Sequence, residues 1–230
     1  MTTIEDNLKD IRENIETAAV RCGRNPAEIT LVGVSKKQVV EKIQQAIDAG
    51  LSDLGENYVQ EAMDKIDTIG KGTACWHFIG HLQSNKARFA VQYFDLIHTV
   101  DKIKLAKEID KQAQKIDKRQ KILLQVNIAE EETKSGVDAH DVVMLAQAVT
   151  QFENLELQGL MCMPPYFNDP EDARPYFRHL ARIREQIVAA GVTSRAMRHL
   201  SMGMSHDFTA AIQEGATLVR VGTAIFGSRS

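Results

Sequence analysis

The chain has 230 residues, with 28 basic and 31 acidic side chains, a formal charge of −3, 43% hydrophobic residues and 6% aromatic ones. This composition describes a soluble globular protein and excludes a disordered or membrane-embedded one. The slight negative balance supplies no basic field to hold a phosphate backbone, so nucleic acid is not expected as a partner.

Three cysteines, Cys22, Cys75 and Cys162, are odd in number and widely spaced, which matches neither a disulfide framework nor a CxxC site. A reducing cytoplasm is the expected location. The opening Met1-Thr2-Thr3-Ile4-Glu5-Asp6 has no basic segment followed by an apolar core, and no run approaches the ~20 apolar residues of a spanning helix. Neither export nor membrane insertion is expected.

Ile4, Leu8, Ile11, Ile15 and Ala18 or Ala19 recur at helical spacing, and Thr2 with Glu5 reads as a capping box. Residues 2–22 are therefore predicted as one amphipathic helix, ended by Gly23 and packed on the main body; a dimer seam is the alternative. Strand-like runs follow at 31–35, 53–55, 76–80, 96–99, 122–128, 155–161, 197–201 and 218–222. Helical patterns lie between them, at roughly 38–49, 57–68, 84–92, 101–118, 138–151, 170–190 and 205–214, before a short last stretch from Thr223 to Phe226. Eight β/α units predict one α/β domain over 1–230: a single (β/α)8 TIM-like barrel with an extra N-terminal helix, slightly under the ~250 residues typical of that fold. That helix could plug the barrel's bottom. A doubly wound open sheet is the competing architecture.

In such a barrel the chemistry gathers at the C-terminal rim. The first strand, Leu31-Val32-Gly33-Val34-Ser35-Lys36, ends an apolar run on a lysine. A partly desolvated amine near another cation gives up its proton more readily and can then attack an aldehyde, which makes Lys36 the leading candidate. A lysine snorkelling from a strand end is the alternative. The last strand, Leu218-Val219-Arg220-Val221-Gly222-Thr223, places Arg220 among apolar neighbours, where an unpaired charge is expensive. Closure makes the first and last strands adjacent, so Arg220 comes near Lys36; a structural salt bridge to a carboxylate is equally open. Ser201-Met202-Gly203-Met204-Ser205 and Gly222-Thr223 read as two phosphate-type loops, with small residues admitting an anion to backbone N–H groups. Asn57, His77 and His81 sit at other strand ends, and the two histidines lack a zinc pattern. The charged run from Glu130 to Gly136 could serve as a lid.

The segments Val34-Ser35-Lys36-Lys37, Gly55-Glu56-Asn57-Tyr58-Val59-Gln60-Glu61, Trp76 to Lys86, Leu200 to Ser205 and Gly215 to Gly227 together resemble the YggS-like pyridoxal 5′-phosphate (PLP) homeostasis proteins, in matching order over nearly the whole chain. The resemblance implies a barrel like the N-terminal domain of alanine racemase, with PLP held as a Schiff base on Lys36. By the same likeness Arg220 faces the pyridine nitrogen and Asn57 lies beside the ring. Ser201, Gly222 and Thr223 hold the phosphate, with Met202 and Gly203 as weaker members of that set. Where the family commonly reads Ser-Lys-Thr-Lys-Pro, this chain has Ser35-Lys36-Lys37-Gln38-Val39, so a role for the family's second lysine has no matching position; Lys37 or Lys134 are the substitutes to consider.

An arginine opposite the ring nitrogen keeps the pyridine unprotonated and makes it a poorer carbanion sink. The expectation is a non-enzymatic, monomeric carrier that stores, protects or delivers PLP, with apo PLP-dependent enzymes as recipients. A small racemase-like enzyme is the alternative, and it would need a second acid/base across the ring from Lys36.

Overall fold

The computed structural model describes residues 3–129 and 135–227. Helix α1 (Ile4–Arg21) buries Leu8, Ile11, Ile15, Ala18 and Ala19. Its capping box lies one residue later than the sequence pattern suggests: Thr3 Oγ1 accepts from the Asp6 N–H at 3.1 Å, and Asp6 Oδ2 accepts from the Thr3 N–H at 3.0 Å. Gly23 takes a left-handed φ of 73° and ends the helix.

The strands are β1 (Thr30–Val34), β2 (Asp53–Glu56), β3 (Cys75–Phe78), β4 (Leu96–Val100), β5 (Gln120–Asn127), a two-residue β6 (Val137–Asp138), β7 (Leu155–Cys162), β8 (His199–Met204) and β9 (Leu218–Val221). Between them run α2 (Val40–Asp48), α3 (Val59–Ile69), α4 (Ala87–Tyr93), α5 (Ile103–Gln114), α6 (Val142–Val149), α7 (Arg174–Ala189) and α8 (Phe208–Gln213); the single turn α9 (Thr223–Phe226) follows β9. All pairings are parallel, and β1–β2–β3–β4–β5–β7–β8–β9 closes back on β1, with β6 added beside β5. This is the (β/α)8 barrel the alternation predicts, and the open sheet is excluded.

Because α9 is only one turn long, the groove beside β9 needs another cover, and α1 supplies it by packing against α8, α9 and α2. Asn7 Nδ2 donates to the Ile225 carbonyl at 2.9 Å, and Arg12 reaches the carbonyls of Ala49 and Gly50 at 3.1 and 2.8 Å. The helix lies in the outer ring rather than plugging the bottom.

Strand side chains alternate between two environments, as a period of two requires. Leu54, Trp76, Phe78, Ile97, Leu200, Met202, Val219 and Val221 face the helices and belong to the main core. Val32, Leu96, Leu123, Met161 and Leu218 form a smaller apolar cluster in the lumen. The expected strand 197–201 is displaced: Met197 closes a short 3₁₀ turn, and β8 runs on through Ser201, Met202 and Gly203 to Met204. Small residues suggested a loop there, but the alternation of Leu200, Ser201 and Met202 across the sheet is intact. The register shifts between Ser201 and Met204, where Gly203 adopts a φ of 90° and forms a bulge.

Candidate functional site

Lys36 follows β1 in a tight turn in which the Gln38 N–H donates to the Ser35 carbonyl at 3.0 Å. The next residue, Lys37, is held at a φ of 59°, a left-handed conformation uncommon outside glycine. A buried ionic cluster holds that turn. Lys65 Nζ, from α3, donates to Ser35 O at 2.7 Å, Glu56 Oε1 at 2.7 Å and Glu61 Oε1 at 2.6 Å. Ser35 Oγ also donates to Glu56 Oε1 at 2.7 Å, and the Lys37 N–H donates to Glu61 Oε1. Burial pushes the Glu56 carboxyl up, against the opposing pull of Lys65. Strain at the turn is thus balanced by a cluster fixing the backbone on both sides of Lys36.

Arg220 stands in register with Val32 on β1, so Lys36 lies four residues nearer the rim, at most about 13 Å at the ~3.3 Å rise of a parallel strand. Arg220 is 3% exposed. Its partners are neutral acceptors: Nη1 donates to Ser201 Oγ at 2.6 Å and Nη2 to the Cys162 carbonyl at 2.9 Å. Among the described residues no carboxylate forms a salt bridge with it, so that alternative from the sequence does not hold. Burial lowers its pKa, but an arginine remains charged at neutral pH.

Gly222 completes the mouth beside β1, where a Cβ would lie 3.3 Å from Val34 Cβ and 3.4 Å from the Val34 carbonyl oxygen. The Gly222 N–H donates to Ser205 Oγ at 3.2 Å, and Thr223 follows at the exposed start of α9. Asp207 shapes the Ser205 turn by accepting from the Met204 N–H at 2.6 Å. Just beyond β2, on the other side of β1, Asn57 Oδ1 is buried without a hydrogen-bond partner among the described residues. A cavity of about 310 Å³ opens beside Asn57, lined also by Tyr58, Phe78, His81, Gln83 and Lys86.

Lys36, Asn57, Arg220, Gly222 and Thr223 therefore lie at the strand ends or throat of one barrel mouth. Ser201, Met202 and Gly203, read from the sequence as a loop, lie within β8. Ser201 is fully buried in mid-strand and engages Arg220 and His98. Met202 faces the helices in the main core. A Cβ on Gly203 would lie 2.6 Å from Ala211 Cβ and 2.9 Å from Phe208 Cα, so this glycine permits α8 to approach β8. The hydroxyl at the mouth is Ser205, in the same run but beyond the strand. Sequence reasoning also passed over Lys65 and Glu61, and His98 in the lumen. Lys134 and the 130–134 part of the possible lid lie outside the described residues.

Residues 7–230 match the family model for the alanine racemase N-terminal domain. The chain is 44% identical over 235 residues to the pyridoxal phosphate homeostasis protein of Escherichia coli K12, covering 100% of this chain and 98% of the relative. The chain belongs to that family. The Aquifex aeolicus pyridoxal phosphate homeostasis protein is 42% identical over 224 residues, with 97% of each chain covered. PipY of Synechococcus elongatus, solved with PLP bound, has a TM-score of 0.78 and 34% identity, covering 94% of this chain and 100% of its own. Alanine racemase of Clostridium difficile, at 15% identity and a TM-score of 0.73 over 97% of this chain and 57% of its own, shares the fold.

Proposed function

We propose that the chain binds PLP at the mouth between β1 and β9 and serves cytoplasmic PLP homeostasis by storing, protecting or delivering the cofactor, without turnover. The observation that carries this reading is Arg220: a buried guanidinium with neutral partners retains donors for one more acceptor, and a pyridine nitrogen is such an acceptor. The unpartnered Asn57 Oδ1 at the same mouth fits a group that brings its own donor, such as a ring hydroxyl. The residues present thus fit PLP.

When bound, the cofactor supplies an aldehyde that condenses reversibly with a primary amine. Lys36 would provide that amine from the turn fixed by Lys65 and Glu56. Arg220 keeps its own proton and would donate to the ring nitrogen, leaving that nitrogen unprotonated. Gly222 and Thr223, joined by Ser205 in place of Ser201, would supply phosphate donors. A site that withholds the ring proton favours holding over carbanion chemistry, in line with the homeostasis names of the close relatives.

Exposed apolar side chains at the rim, Val39, Tyr58, Ile103, Met163 and Tyr166, support direct docking of apo PLP-dependent enzymes on a monomer of this chain. The test is to load the purified protein with PLP, record its near-visible spectrum, reduce with borohydride and map the modified residue by mass spectrometry. A label on Lys36, absent in Lys36→Ala, is expected; a label confined to another residue overturns the site. Sustained racemisation of an amino acid that depends on Lys36 would replace the carrier with the enzyme.

A further inference from the structure

Arg220 is one end of a hydrogen-bonded chain through the lumen, and counting donors fixes the chain's direction. A guanidinium only donates, so the Ser201 oxygen accepts from Arg220 Nη1 at 2.6 Å. The Ser201 proton is then directed to His98 Nδ1, 2.9 Å away. Accepting at Nδ1, a neutral His98 carries its proton on Nε2 and donates it to His77 Nδ1 at 2.9 Å. His77 carries its proton on Nε2 in turn and donates to Asp53 Oδ1 at 3.0 Å, a carboxylate that only accepts. The opposite direction would need a second proton on His77 and would leave the Ser201 hydrogen without an acceptor among these contacts. Burial first, then His77 and Arg220, hold the His98 pKa well below its usual value, in keeping with a neutral ring.

The geometry points to Ser201, His98 and His77 as positioning residues that hold and aim the Arg220 guanidinium, acting as a one-way chain anchored on Asp53 at the floor of the barrel. Each link turns its lone pair toward Arg220 and its hydrogen toward Asp53. The aligned dipoles stabilise a buried cation while keeping the carboxylate away from it. A carboxylate beside Arg220 would compete for the N–H groups that this arrangement leaves available for a ligand. Asp53 is itself held, accepting from Ser52 Oγ at 2.6 Å. Other charges near the chain are His199, beside His98, and Asp207, which lies near Arg220 and accepts from the Met204 N–H. What Arg220 faces rests on the PLP reading; the direction of the chain does not.

The first experiment uses the PLP-free protein labelled with 15N-histidine, with ring tautomers read from two- and three-bond 15N–1H correlations near pH 7.5. His77 and His98 are both expected neutral with the proton on Nε2. A proton on His98 Nδ1, or a doubly protonated ring at either position, overturns the proposal. The second compares PLP titrations of the wild type, Ser201→Ala and Ser201→Thr. Ser201→Ala should weaken PLP binding about tenfold, the scale of one hydrogen bond to a charged group, and shift the bound cofactor's absorbance, with Ser201→Thr restoring both. Unchanged affinity and spectrum in Ser201→Ala overturn the positioning role. If the wild type takes up no PLP, the cofactor reading fails while the tautomers still decide the chain; they also decide it if Ser201→Ala does not fold.

Discussion

Lys65→Met tests the clamp behind Lys36. The Lys65 side chain is 8% exposed and Glu56 0%, whereas Glu61 is 27% exposed. Methionine retains much of the side-chain volume and removes all three donations from Nζ. The main cost is the charge left behind: among the described residues the Glu56 carboxylate would keep only the Ser35 hydroxyl, and its Oε2 already has no partner there. Removing one member of a buried ion pair costs about 3–5 kcal/mol, while the more exposed Glu61 contact adds about 1 kcal/mol or less. At about 2–4 °C per kcal/mol for a domain of this size, Tm should fall by about 6–24 °C. Adding Glu56→Gln removes the stranded charge, so the double variant should recover about 2 kcal/mol relative to the sum of the single changes. The Lys65→Met penalty should also shrink toward pH 5, because the stranded carboxyl, its pKa raised by burial, then takes up a proton at little cost. Urea unfolding of the four proteins at pH 7.5 and 5 closes the cycle. A Lys65→Met cost below about 1 kcal/mol, or additivity within about 0.5 kcal/mol, would refute the clamp.

Gly80→Ala would bring a Cβ within 2.1 Å of the Asn57 carbonyl oxygen and 2.7 Å of its Cα, so the backbone carrying Asn57 must move. The expected outcome is a loss of about 1–3 kcal/mol in urea unfolding with weakened PLP binding; retention of both contradicts the placement of Asn57. Arg220→Met removes a buried charge that has no ion pair among the described residues, so stability should change by only about 1 kcal/mol while PLP affinity falls at least about tenfold. A stability loss above about 3 kcal/mol would reveal a structural charge instead. Burial lowers the His199 pKa to about 4 and holds that of His98 well below 6.5. Both folded values lie under the unfolded ones, so this contribution is complete above about pH 6.5 and is lost as pH falls toward 4. Glu56 and Asp207, raised by burial, act in the opposite sense at the acidic end. Imidazole NMR should find neither His98 nor His199 titrating between pH 8 and 5, and a midpoint above 6 for either excludes the assignment.

The barrel was legible because its strands write their two faces into the sequence. Leu218, Arg220 and Gly222 share one parity and Val219 and Val221 the other, so alternation sets Arg220 opposite the two valines, and packing of the valines on the helices makes its face the lumen. Lys36 was legible for a related reason, as a charge ending an apolar strand. The strand end was placed too early, at Ser201, because serine and glycine in sequence resemble a loop, whereas Gly203 makes a bulge within a continuing strand. The apolar residues at 200 and 202, on either side of Ser201, were the available signal. The Lys65 clamp joins a helix to the ends of two strands, and nothing local announces it except a lysine amid the buried positions Val59, Ala62 and Ile66 of α3. His98 sits in a run of five buried residues, Leu96 to Val100, where its only polar strand neighbour, Thr99, has the opposite parity. Its partners are contributed by β3 and β8, so only closure of the sheet assigns it a role.

The lumen divides the tasks that a holding site requires. Apolar Val32, Leu96, Leu123, Met161 and Leu218 fill part of it, while Asp53, His77, His98 and Ser201 form one chain ending on an arginine. A histidine or carboxyl at position 220 could exchange a proton with a ring nitrogen; an arginine cannot do so at neutral pH. Every link behind Arg220 already has its hydrogen directed away, toward Asp53, so the chain provides orientation without offering a proton at the mouth. On the PLP reading proposed above, reversibility is then left to the amine at Lys36, whose turn is controlled by a separate cluster on the opposite side of β1. Retention and release can therefore be altered independently: variants of Ser201 or His98 should change how firmly the ring is held, and variants of Lys65 should change how the amine is presented.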